Sequence, residues 1–252
     1  MEEQTVIAQE EPKISSFMER AADIFSAPGK LYSEVAVSPV QSSSWVMPYI
    51  LSMIVAVVFT IALFSNQSLR DQMMEPQRQQ MQERVQKGEM TQEQADSAEE
   101  FIGSSSIMMI TGGVWAAVVV TVSVFGIPLI LWLVVKFALK SAAGYKKMLE
   151  VYGLSSLIGI LSAIVTLIMM HLFDSIRATP GASLLLMNSF DYHSFAHKVI
   201  ASLNILTIWQ TVVVGIGMAK VSNKPTGTGM GFAFGLWLVY VLIASAIGWG
   251  MG

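Results

Sequence analysis

The chain has 252 residues and a formal net charge of −3, with 53% hydrophobic residues against 13% charged. A soluble domain carries about a quarter charged residues, so this composition excludes a protein surrounded by water on all sides. It has no cysteine, which removes disulfides, thiolate metal sites and cysteine nucleophiles, and no long basic tract points to nucleic acid.

The first residues, "MEEQTVIAQEEPK", are acidic and lack an apolar core, so no cleavable signal peptide is expected and insertion rests on the first span. In "ISSFMERAADIFSAPGKLYSEV", Ser16 and Glu19 have capping-box spacing. Ile14, Phe17, Met18, Ala21 and Phe25 then share one helical face, and Pro28 with Gly29 is expected to end that helix. Such a stripe suits a helix lying in the membrane interface or one packed on the protein's own end. Apolar blocks follow at 45–64, 107–139, 151–170, 199–219 and 226–252. Each reaches the roughly 20 residues that cross about 30 Å of hydrocarbon. The expected fold is all-α: a polytopic integral membrane protein with five transmembrane helices.

Between the first two blocks, residues 66–103 are polar and rich in Gln, Glu and Met. Pro76 is expected to start a helix, Gly88 to stop it, and Thr91 with Gln94 to restart one, which predicts an external helical hairpin. Block 107–139 contains Gly126 and Pro128; one long kinked helix is expected, with Lys136 reaching toward the surface. The domain reading is a tail at 1–44 and a membrane unit at 45–252 carrying the insert. Nine Lys and Arg fall on the N-terminal side of these spans and six on the other. That bias predicts a cytoplasmic N-terminus and an external C-terminus.

The glycines of "KPTGTGMGFAFG" do not form a phosphate loop, because Lys224 precedes them and no Lys follows. Gly231 with Gly235, and Ala244 with Gly248, instead have the spacing of close helix contacts. Thr207, Thr211, Gly215 and Ala219 make a small-residue stripe in the fourth block, as do Ser155, Gly159 and Ala163 in the third. Packing is the expected role of Gly215, with Val213 on another face toward lipid. The rival reading is a permeation path lined by Asn204, Gln210 and the neighbouring threonines.

His193 and His197 are one helical turn apart, but Ser194 stands where HExxH needs glutamate and only Asp191 is close. No metal site is expected. His171, Asp174 and Arg177 suggest an interfacial hydrogen-bond cluster rather than a proton relay. "YGLSSLIG" would need glycine in place of Leu157 to be a nucleophile elbow. No catalytic residue, metal ligand or cofactor is therefore assigned.

"DIFSAPGKLYSEV", "WVMPYILS", "GYKKMLEVYGLSSLIGIL" and "IWQTVVVGIGMAKVSNKPTGTGMGF" resemble, in this order, segments of bacterial members of the Yip family, the Ypt/Rab-interacting membrane proteins. The resemblance covers roughly residues 22–250 apart from the insert. It implies a membrane protein without catalysis, in the bacterial inner membrane. Its partners would be the lipid bilayer and unidentified membrane or cytoplasmic proteins, and a homo-oligomer is compatible with it. Eukaryotic members bind Rab-type GTPases. This chain lacks a DLYGP-type motif and has Gly153, Leu154 and Ser155 where a Gly-Tyr-Ser-type motif is found, which weighs against Rab binding. A membrane-organising or adaptor role is expected; the alternative is a transporter or channel for a lipid or small solute.

Overall fold

Caps and prolines divide the chain into helices, and the computed structural model describes residues 15–247. Ser16 and Glu19 close a capping box that opens α1, Phe17–Ser26. α1 ends just before Pro28 and Gly29, as expected, but the chain does not leave helical structure there. Pro28 opens a second helix, α2 (Pro28–Val37), from a first-turn position where a missing N–H costs nothing. On α1 the buried residues are Arg20 and Ile24, with Phe17 and Ala21 packed beside them against the core. Met18 is 74% exposed and Phe25 43%, so the predicted stripe divides between an inward and an outward side. Ile14 lies outside the described residues.

α3 (Ser43–Ser65) is the first long apolar helix. α4 (Gln67–Gln86) opens at Asn66, whose side chain accepts from the Leu69 N–H. Pro76 lies inside α4 rather than at its start. The Asn cap supplies the stronger start signal, and an interior proline removes only one hydrogen bond, that to the Gln72 carbonyl. α4 stops where Gly88 takes a φ of 73°, and α5 (Gln92–Gly103) opens on a capping box of Thr91 and Gln94. Arg78 joins the pair, with Nε 2.7 Å from Glu99 Oε1.

α6 (Ser105–Leu133) runs through Pro128 as one helix and ends in a π turn, Val134–Ala138. There Lys136 Nζ lies 4.7 Å from the Trp132 ring centre. α7 (Tyr145–Phe173) outreaches its predicted block at both ends. The block at 199–219 is broken into α8 (Phe195–Ala201) and α9 (Ile205–Val221). Its backbone at the break is taken by another partner: Ala182 N–H donates to Leu203 O at 2.9 Å, and Ile205 N–H to Pro180 O at 3.0 Å. α10 (Thr226–Ile247) follows.

Four of these helices, α3, α6 with its π turn, α7 and α10, are long and apolar enough to cross a membrane, and α9 is a shorter apolar helix. Four of the five expected spans are thus met by a long apolar helix among the described residues. α9 has 17 residues, about 26 Å at 1.5 Å per residue. In the four long helices only 17% to 22% of the most apolar window is buried inside the protein. Ile50, Ile54, Val57 and Ile61 form one such outward stripe on α3, a surface that suits hydrocarbon.

The two ends of the bundle differ. At the N-terminal end, α1 and α2 cover the main core, where Tyr32, Val135, Met148, Val151, Ile158, Val213 and Met218 meet. At the insert end, a smaller cluster of Leu63, Phe64 and Leu69 ties α4 to α3. Ser68 Oγ donates to Asp174 Oδ2 at 2.7 Å, holding α4 to the end of α7.

Candidate functional site

A densely bonded part of the molecule is the junction of α1 and α2 with α3, α7 and α9. On α2, Leu31, Tyr32 and Val35 point inward. The Tyr32 ring wedges beside Gly217 of α9, where an added Cβ would lie 3.2 Å from it and 2.5 Å from Val151 Cγ1. Its hydroxyl donates to the Val151 carbonyl at 2.7 Å. Burial holds the Tyr32 phenol well above its ordinary pKa, so it is neutral and remains a donor.

One turn earlier on α7, Lys147 Nζ donates to the Val35 and Ser38 carbonyls at 2.8 and 2.9 Å. These carbonyls lie at the C-terminal end of α2, where a cation meets the negative end of the helix dipole. Lys147 Nζ also sits 2.7 Å from Glu150 Oε2, and Glu150 Oε1 accepts from the Gln41 N–H at 2.6 Å. Glu150 is 1% exposed. A buried carboxylate is tolerated only with such partners.

Arg20 completes the junction. Its Nε and Nη2 donate to the Ser15 carbonyl at 2.9 and 2.8 Å, and its Nη1 to Ser44 Oγ at 2.6 Å. Glu34 accepts from the Ser15 N–H and hydroxyl. Behind Ser44, α3 and α7 touch backbone to backbone: an added Cβ at Gly153 would lie 2.6 Å from Ser44 O and from Trp45 Cα. Pro48 lacks the N–H that the Ser44 carbonyl would accept within α3, so that carbonyl is free to face α7. The chemistry of this cluster is attachment, because its charges and donors are spent on one another.

The small-residue stripes divide in the same way between contact and cavity. Gly215 meets α10 closely, since a Cβ there would lie 2.7 Å from Met230 Cα. The matching glycine is Gly229, which faces the Gly215 carbonyl and Ala219. Gly231 and Gly235, the expected contact pair, have nothing within 4 Å of an added Cβ. Gly248, the expected partner of the buried Ala244, lies outside the described residues. Val213 does not face lipid; it is fully buried.

Asn204 lines no path, because it caps α9 by accepting from the Leu206 and Thr207 N–H groups at 2.9 and 3.3 Å. Gln210 does face a cavity of about 400 Å³ between α3, α6, α7 and α9, together with Gly159, Ala163, Ser52 and Tyr152. Thr211 donates back to the Thr207 carbonyl at 2.9 Å.

The histidines separate. His193 precedes the Ser194 cap of α8, and His197 Nδ1 accepts from the Asp191 N–H at 3.0 Å. His171, Asp174 and Arg177 form no cluster either. His171 Nδ1 bonds the Leu167 carbonyl, Asp174 takes Ser68, and Arg177 lies over the Phe190 and Tyr192 rings at 4.7 Å from each. Among the described residues no three His, Cys, Asp or Glu side chains gather as a metal site.

Sequence reasoning passed over Tyr32, Lys147, Glu150, Gly217 and Gly229. A signal existed for one pair, since Lys147 and Glu150 have the i, i+3 spacing of a helical ion pair. These residues nonetheless lie inside the quoted resemblance segments, which meet here: α2, the start of α3, the start of α7, and α9 with α10. Comparison with curated proteins and with solved structures returns no match. A family profile, the Yip1 domain, matches residues 22–247. That match runs from within α1 to the end of α10 and takes in the junction apart from Ser15 and Arg20, so the chain belongs to the Yip family.

Proposed function

We propose that the protein is a non-enzymatic membrane-organising or adaptor protein that works through its N-terminal end. The supporting observation is the fastening of α1 and α2 to the bundle by Tyr32 and the buried Lys147–Glu150 pair. Away from the core, Met18 of α1 and Val37 of α2 are 74% and 79% exposed. A rigid platform with outward apolar anchors suits a protein partner, which binds through a few such residues.

A photo-crosslinking residue placed at Met18 in cells tests this reading. Discrete protein adducts that disappear on Val37→Glu support an adaptor. Adducts with lipid alone would return α1 to the role of an interfacial helix and refute it.

The topology belongs to the same proposal: five passes through a bacterial inner membrane with a cytoplasmic N-terminus, α9 being the short fourth pass. The nine-to-six distribution of Lys and Arg supports it. Reporters fused after Ser106 and at Gly252 should both read outside. A cytoplasmic signal at Gly252 would mean that α9 does not cross.

One observation favours transport as a second reading. Gln210 faces the 400 Å³ cavity, and no group among the described residues hydrogen-bonds its amide. Saturable solute flux in proteoliposomes, abolished by Gln210→Leu, would establish that reading in place of the adaptor.

A further inference from the structure

At the insert end a second cavity, about 390 Å³, opens between α3, α4, α7 and α10. Its walls are apolar and include Phe59, Leu63, Met170 and Val241, and its rim carries Arg177. Arg177 follows the last turn of α7 by four residues, so the rim sits where that long apolar helix ends. The guanidinium rests over the edge-to-face pair of Phe190 and Tyr192, 4.7 Å from each ring centre. Stacking of this kind fixes the cation's position while leaving its edge donors open.

No carboxylate among the described residues lies within ion-pair distance of Arg177. Asp174, the nearest in sequence, is held by Ser68. The five N–H donors of the Arg177 guanidinium meet no acceptor among the described residues. Thr179 and Ser183, also on the rim, bond each other at 2.5 Å and leave Arg177 as the rim's only charge.

We propose that this cavity binds one anionic phospholipid, with acyl chain against Phe59, Leu63, Met170 and Val241 and headgroup phosphate on Arg177. The pairing of chemistry carries the inference. An apolar slot within the roughly 300–1,000 Å³ of small-ligand sites meets one pre-positioned, acceptor-seeking cation at the level of lipid headgroups. A neutral apolar ligand would leave Arg177 unanswered, and a free anion would leave the walls unfilled. Guanidinium binds phosphate through two parallel hydrogen bonds; a zwitterionic headgroup brings the same phosphate together with a cation that Arg177 repels, so the site prefers a headgroup of net negative charge. This site goes beyond the adaptor reading and stands on different residues.

The test uses the full chain, delipidated in detergent, with phosphatidylglycerol or phosphatidylcholine of identical acyl chains titrated in and adducts counted by native mass spectrometry. Phosphatidylglycerol should bind about tenfold more tightly, because it lacks the choline cation that Arg177 repels. Arg177→Gln should abolish that preference, and Arg177→Lys should retain part of it. Lys87→Gln, the same charge change on the exposed end of α4, should leave it intact. Met170→Trp should weaken both lipids by filling the slot.

Each variant is first compared with the native chain for monodispersity and thermal stability in lipid-free detergent. If Arg177→Gln does not fold, the native headgroup ratio and Met170→Trp still decide. Equal binding of the two lipids, an unchanged preference in Arg177→Gln, or displacement by millimolar inorganic phosphate would each overturn the proposal, the last by showing a simple anion site.

Discussion

Moving one methyl group two residues along α10 separates contact from open surface. At Gly229 an added Cβ would lie 2.7 Å from the Ala219 backbone N and 2.8 Å from Ala219 Cβ, and closer still to the Gly215 carbonyl. Carbon atoms pack comfortably at about 3.5–4.0 Å, and a gap of 0.5–1 Å forfeits roughly a quarter to a half of a contact's attraction. The blocking atoms are mainly backbone, so α9 and α10 must part by roughly 1 Å, at about 1–3 kcal/mol for overpacking of this kind. Replacing glycine by alanine inside a helix returns about 0.5–1 kcal/mol. Gly229→Ala should therefore destabilise by about 1–2 kcal/mol and lower Tm by about 2–8 °C for a chain of this size.

Gly231→Ala receives only the helix benefit, since nothing lies within 4 Å of its Cβ. Its Tm should match the native value or exceed it by up to about 4 °C. Tryptophan fluorescence of the detergent-purified variants during heating reads both. Equal Tm values for the two, or a greater loss at Gly231, would refute the close contact of α9 with α10 and the packing role of these glycines.

Lys147→Met should destabilise strongly, by about 3–5 kcal/mol, because Glu150 is left buried without its cation. Lys147→Met combined with Glu150→Leu should recover most of that loss, and a double-mutant cycle of Tm values checks it; an additive result would mean that the pair is not coupled. Asn204→Ala removes the cap of α9 and should cost about 0.5–2 kcal/mol. Hydrogen exchange at Leu206 and Thr207 should quicken, while exchange in the middle of α7 stays unchanged.

Long apolar blocks were readable because membrane spans announce themselves by length, and 45–64, 107–139, 151–170 and 226–252 each fall on one long helix of the structure. The block at 199–219 misled for a local reason. Hydropathy sees Leu203 and Ile205 as a continuation, whereas the backbone there is engaged by residues 180–182, a pairing invisible to a window of composition. Pro76 was misread because proline is permitted both at a helix start and, with one lost bond, inside a helix. Only the neighbouring caps decide which applies.

Glycine spacing had the same ambiguity. Gly229, Gly231 and Gly235 lie on one helix, and which of them touches α9 depends on the rotation of α10, which no four-residue motif specifies. The junction was hidden for a further reason: Tyr32, Val151 and Gly217 have no motif in common and become neighbours only when α2, α7 and α9 are assembled.

The Tyr32 wedge has a consequence for how the protein is made. Its hydroxyl is bonded to a carbonyl 119 residues later in the chain. At translation rates of about 5–20 residues per second, α2 must wait roughly 6 to 24 seconds for that acceptor to be synthesised. Gly217, the rest of its seat, arrives later still. During the interval Leu31, Tyr32 and Val35 have no partner groove, and the carbonyls that Lys147 will bond are open to water. The segment that leaves the ribosome early is thus a late one to be fastened. Its docking records that the later helices have been inserted in the right order and register.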